Sequence, residues 1–145
     1  MRMRLLAVAV CSVCVGCVSF VPTQSASIYK DLEETNNNLK KVATAIDGIY
    51  TGTDSYDRTS GYYIAALASV SSAKSKAEGR SAYLRGKIAE APAKKVALAI
   101  GNCEASIKEV RARHEAQGVL DPGSLERQSV METCQIPKTM EELLK

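Results

Sequence analysis

Ile28, Leu32, Thr35, Leu39, Val42, Ile46 and Ile49 recur at alternating steps of four and three, and all but Thr35 are aliphatic. That interval keeps the side chains on one stripe of an α-helix, whereas a strand's period of two would scatter them over both faces. Ser25 or Ser27 is placed to cap the start. Asp31, Glu33 and Glu34 precede Lys40 and Lys41, the order that the helix dipole favours. A stripe this short suits one amphipathic helix of a bundle, and pairing of two copies through 28–49 as a homo-oligomeric coiled coil is its other use.

The remaining composition points the same way. Among 145 residues there is one Phe and no Trp, and Ala supplies much of the apolar content. Such a chain builds its core from Leu, Ile, Val and Ala, which favours closely packed helices. The net charge of +3 includes Arg2 and Arg4, and without them the balance is +1. Cations and acids are interleaved, so no basic stripe for nucleic acid is present.

After the first stripe, YTGTDSYDRTS reads as a loop between Gly48 and Gly61, rich in turn formers. Four of the six tyrosines lie in or beside it: Tyr50, Tyr56, Tyr62 and Tyr63. They are the candidate partner contacts, since a phenol offers rigid area plus a hydroxyl, while the competing role is to cover the end of the bundle. A second helix is expected from Tyr62 to about Ala91 through Ile64, Leu67, Ala68, Leu84 and Ile88. Ala65, Ser69, Ala73 and Ala77 form a small-residue ridge on it, and Gly79 and Gly86 are candidate bends. Pro92 marks a break or the first turn of the next helix.

The third helix carries Val96, Ile100, Cys103, Ile107 and Val110, with His114 near its end as a dipole partner or half-buried surface residue, and Gly118 as its stop. Asp121-Pro122-Gly123 opens a fourth, shorter helix with Leu125, Val130 and Met131 on its apolar side. Pro137 is expected to break it, with Thr139 and Glu142 boxing a final turn.

The segment preceding the first stripe has a different character. MRMR is a positive start, and LLAVAVCSVCVG is an apolar run of signal-peptide length. Val15-Gly16-Cys17 at its end resembles the lipobox of bacterial lipoproteins, in which a small residue precedes the Cys that is acylated and becomes the mature N-terminus. Cys14 stands where that class usually carries an aliphatic residue. Val18, rather than Asp, follows Cys17, which in Gram-negative members resembles proteins released to the outer membrane. The resemblance covers only this segment. It implies a signal peptide over 1–16, a lipidated N-terminus and tether over 17–27 with lipidation at Cys17, and a helical domain over 28–145. Cleavage near Ala26, or retention of residues 5 to 21 as an uncleaved anchor, are the other outcomes for the same segment.

On the lipoprotein reading, cleavage removes Cys11 and Cys14, acylates Cys17 and leaves Cys103 and Cys134, which an oxidising periplasm would join as a disulfide. A catalytic thiol stays open, although no neighbouring residue marks an activated Cys. The fold expected is therefore all-α, a small helical bundle of three to four helices with one disulfide, preceded by a signal peptide and short tether.

Chemistry has little to build on. There is no phosphate loop, nucleophile elbow, HExxH or Cys-x-x-Cys in the mature segment, and one His serves the whole chain. No catalytic residue, cofactor or metal ligand is assigned. The function expected is a non-enzymatic envelope lipoprotein, a lipid-anchored binding or scaffold module for another envelope protein or glycan. A cell-wall hydrolase or its inhibitor, and an uncleaved single-anchor subunit of a membrane complex, are the alternatives.

Overall fold

The computed structural model describes residues 24–48, 55–121 and 125–144. They form four helices: α1 (Ala26–Gly48), α2 (Ser55–Tyr83), α3 (Glu90–Gln117) and α4 (Leu125–Glu142). No strand occurs among the described residues. Each helix packs on its sequence neighbours and α4 returns to α1, so the four close into a ring around one core. Thr35 meets Ser69 and Asp31 meets Lys76, which sets α1 and α2 antiparallel. Asp47 with Arg127 and Ser25 with Glu141 do the same for α1 and α4. The all-α bundle expected from the sequence is the fold. Residues 1–23, and with them the expected signal peptide and Cys17, lie outside the described residues, as do Ile49 and Tyr50.

The α1 stripe is the inner wall. Ile28, Leu32, Thr35, Leu39, Val42 and Ile46 are all buried within the chain, leaving none of them to a second copy in this structure. Thr35 is accommodated because its hydroxyl donates to Asp31 O at 2.8 Å and lies 2.9 Å from Ser69 Oγ. Ser25 caps the helix, accepting the Ile28 N–H at 3.4 Å. In α3, Val96, Ile100, Cys103, Ile107 and Val110 face inward, and Gly118 closes the helix at φ 72°, its N–H bonding His114 O. A left-handed residue there is the usual glycine stop.

Several expectations are corrected. The helix α2 begins at Ser55 rather than Tyr62, because Thr59 and Ser60 satisfy their hydroxyls on Tyr56 O and Asp57 O one turn back. It ends at Tyr83 rather than Ala91, and Gly86 takes φ 75° in a turn to α3 that only glycine adopts cheaply. Its inner face is Tyr63, Ala66, Val70, Ala73 and Ala77, while Ile64, Ala68 and Ile88 face solvent. Finally, Pro137 sits inside α4 without ending it. Its ring is fully buried, and Thr139 lies within the continuing helix rather than capping a new one.

Cys103 and Cys134 form a disulfide between α3 and α4, with Cα atoms 4.6 Å apart. Both cysteines are wholly buried. The bridge closes a sequence separation of 31 residues. Loss of the bridge in a Cys103→Ala, Cys134→Ala chain should lower stability by about 3–4 kcal/mol on loop entropy, measured as the urea midpoint against the unreduced parent.

Candidate functional site

Two ends of the bundle carry its polar chemistry. At the end where α2 begins, Tyr56 and Tyr63 lie two helical turns apart on one face and meet His114 from α3. The two phenol rings stack with centroids 6.4 Å apart, and the imidazole stands edge-on to them at 5.5 Å and 5.8 Å. Tyr63 Oη and His114 Nδ1 share a hydrogen bond at 3.2 Å. Arg111, one turn before His114, donates from Nε to Tyr56 Oη at 3.0 Å. The Tyr56 N–H bonds Gly118 O at 3.2 Å, tying the start of α2 to the end of α3.

The electrostatics follow from burial. Tyr63 is 1% exposed, and desolvation, followed by its neighbour Tyr56, pushes its hydroxyl pKa up to about 12. Burial of His114 depresses the imidazole below its ordinary value of 6.5 and favours the neutral ring. The hydrogen bond to Tyr56 strengthens the proton affinity of Arg111. A general base needs access to a reacting proton, and His114 is enclosed. The arrangement therefore knits α2 to α3.

Among the candidate partner contacts, the structure brings Tyr56 and Tyr63 together inside the bundle. Tyr63 is packed away from any partner, and Tyr56 is half-buried. Tyr62, one residue before Tyr63, turns outward at 38% exposure with Lys41 Nζ 5.7 Å from its ring centre. Tyr50 lies outside the described residues. His114, expected at the surface or half-buried, is fully buried because its aromatic neighbours enclose it.

At the opposite end, residues that no spacing announced converge. Glu141 of α4 is fully buried and faces Arg80 of α2, across the ring of helices, with Nη1 at 2.9 Å from Oε1 and 3.2 Å from Oε2. The 2.9 Å approach is an ion pair, and the contact with Oε2 has hydrogen-bond geometry. Oε2 also accepts the Ser25 N–H at 2.9 Å. Gln24 N–H bonds Leu144 O at 3.0 Å, and Tyr29 Oη donates to Glu142 Oε1 at 3.0 Å. The α4 terminus thereby grips the point where the chain enters α1. A pair more than 60 positions apart leaves no periodic signal in the sequence.

Elsewhere, Glu104 is held by Lys108 and Lys74, whose hydrogen bonds lower its carboxyl below the usual range. No three His, Cys, Asp or Glu side chains converge as a metal site among the described residues. No helix among them is long and apolar enough to cross a membrane. Among the described residues, Leu67, Lys108 and Arg111 line an open hollow on the surface. Comparison with protein-family models, with curated proteins and with solved structures finds no match for this chain.

Proposed function

We propose that this chain is a lipid-anchored envelope protein whose disulfide-stapled bundle serves as a non-enzymatic binding or scaffold module for another envelope component. The observation that carries the reading is the apolar N-terminal run ending in Val15-Gly16-Cys17. The buried Cys103–Cys134 bridge supports it, because such a bond persists in an oxidising compartment. A bundle whose one imidazole is enclosed between helices suits a module that presents surfaces.

Intact mass of the protein extracted from membranes tests the anchor. A chain starting at Cys17 and carrying acyl groups is the expected result, whereas a full-length chain, or one cut near Ala26 without lipid, overturns it. For the module, Tyr62 is the exposed phenol of the aromatic end. Tyr62→Ala should abolish the partner captured by cross-linking in intact cells, with helical content by circular dichroism unchanged. Capture that survives the substitution assigns the contact to another face.

A further inference from the structure

Among the described residues, the three most exposed large apolar side chains are Ile88 at 94%, Leu143 at 81% and Tyr83 at 76%. Single exposed hydrophobes are ordinary on a protein surface. These three share one end of the bundle, where α2 finishes, α3 starts and α4 terminates. The turn that presents Tyr83 and Ile88 is a built structure. Leu84 N–H bonds Arg80 O, Arg85 N–H bonds Ala82 O, Lys87 N–H bonds Leu84 O and Glu90 N–H bonds Lys87 O, all at 2.9–3.2 Å. Gly86 supplies the left-handed residue, and its N–H is taken by Glu90 Oε2 at 2.7 Å. The fold thus fixes an isoleucine in water where a polar residue would cost nothing.

The charges on the turn itself have one sense. Arg85 and Lys87 sit on the turn itself, and Lys87 Nζ lies 4.2 Å from the centre of the Tyr83 ring. Of the neighbouring acids, Glu78 is exposed in the hollow beside Arg85, and the others are engaged. Glu90 pairs with Lys94 at 2.6 Å, Glu141 is buried against Arg80, and Glu142 receives the Tyr29 hydroxyl. An aliphatic tip, a phenol and two long cations are the set that settles at a bilayer interface, the rings at headgroup level and the cations reaching outward to anionic groups.

The chain's own connectivity selects the occupant. Gln24, bound to Leu144 O, is the first described residue, so the N-terminal segment joins the bundle at this same end. Seven residue steps separate Cys17 from Gln24, a reach of at most about 25 Å. We infer that this end rests on the membrane, with Tyr83, Ile88 and Leu143 entering the headgroup–acyl boundary and Arg85 and Lys87 meeting anionic headgroups. The inference rests on the reading of Cys17 as acylated. A lipid surface is favoured over a protein partner because the tether enters at this end and would hold it within about 25 Å of an acylated Cys17.

The chain lacks Trp, so Ile88→Trp and Val119→Trp each place a single indole at opposite ends of the bundle. Each full chain, extracted from membranes, is reconstituted into vesicles of phosphatidylethanolamine and phosphatidylglycerol with brominated acyl chains. The indole at position 88 should shift its emission to the blue and be quenched by bromine, while that at 119 keeps aqueous emission. Adding Arg85→Glu and Lys87→Glu to the Ile88→Trp chain should bring loss of the quenching. An acylated, vesicle-bound chain whose indole at 88 stays aqueous and unquenched overturns this inference and leaves the anchor standing. Shielding at 88 that appears only with a second envelope protein, without bromine quenching, also overturns it in favour of that protein. A chain without acyl mass that fails to float with vesicles overturns the anchor itself, and the inference with it.

Discussion

Glu141→Ala is expected to destabilise the bundle by about 3–5 kcal/mol, the cost of leaving a buried charge without its partner. Glu141 is fully buried, and the Arg80 side chain facing it is 16% exposed. Removing the carboxylate strips the guanidinium of its counter-charge and the Ser25 N–H of its acceptor. Among the described residues, Arg80 Nε and Nη2 already lack a hydrogen-bond partner, so Nη1 to Glu141 is the contact that compensates the buried guanidinium. Glu141→Gln keeps an acceptor for Ser25 and should cost less, about 1–3 kcal/mol, as a lost charge-assisted bond. Arg80→Met with Glu141→Leu should recover most of the loss, because an apolar pair of similar volume avoids desolvating two charges. Urea midpoints at constant slope measure all three. If Glu141→Ala costs no more than an exposed substitution, below about 1 kcal/mol, water reaches the pair and it does not clamp the start of α1. A domain of this size holds about 5–15 kcal/mol in total, so the expected loss is a large share.

The sequence made α1 and α3 legible because large aliphatic residues repeat there at helical steps and fall on one face. The ridge of Ser69, Ala73 and Ala77 does face the core, but Tyr63, Ala66 and Val70 complete that face, and small residues carry little weight beside Ile64. Reading the stripe from Ile64 instead of Tyr63 rotates the helix by one residue and turns the wrong side inward. Leu84 and Ile88 are four apart and mimic a continuing helix, yet Gly86 between them requires a backbone region that ends it. Pro137 was read as a break from its missing N–H, but burial of the ring and the packing around it outweigh one absent bond. The disulfide is legible because Cys103 falls on the core stripe of α3 and because the lipoprotein reading leaves Cys103 and Cys134 as a pair. The Arg80–Glu141 clamp and the tip at Ile88 were not legible, because both depend on which helix ends meet in space.

At the other end, Tyr63→Ala should cost about 3–5 kcal/mol, as expected for deleting a buried aromatic ring. Tyr63 is among the largest wholly buried side chains, and its loss opens a cavity between α2 and α3 beside His114. Tyr63→Phe keeps the volume and removes only the hydroxyl bonded to His114 Nδ1, so it should cost about 1–3 kcal/mol. The same site makes stability depend on acid. Burial lowers the pKa of His114 in the folded chain below the ordinary 6.5 that applies when unfolded. The unfolded chain then binds a proton that the folded chain resists, so stability is complete above about 6.5 and falls as pH drops below it. The fall is at most about 1.4 kcal/mol per pH unit for one group and levels off once the folded imidazole also protonates. Glu104 acts in the same sense, but its depressed carboxyl titrates only below the ordinary 4.5, so it leaves the interval from 6.5 down to about 5 to His114. Melting temperature against pH should therefore decline through that interval in the parent and stay flat in His114→Gln, whose side chain does not titrate. An equal decline in both would move the acid sensitivity elsewhere, while a flat parent profile would mean that the unfolding chain and the folded one hold this proton alike.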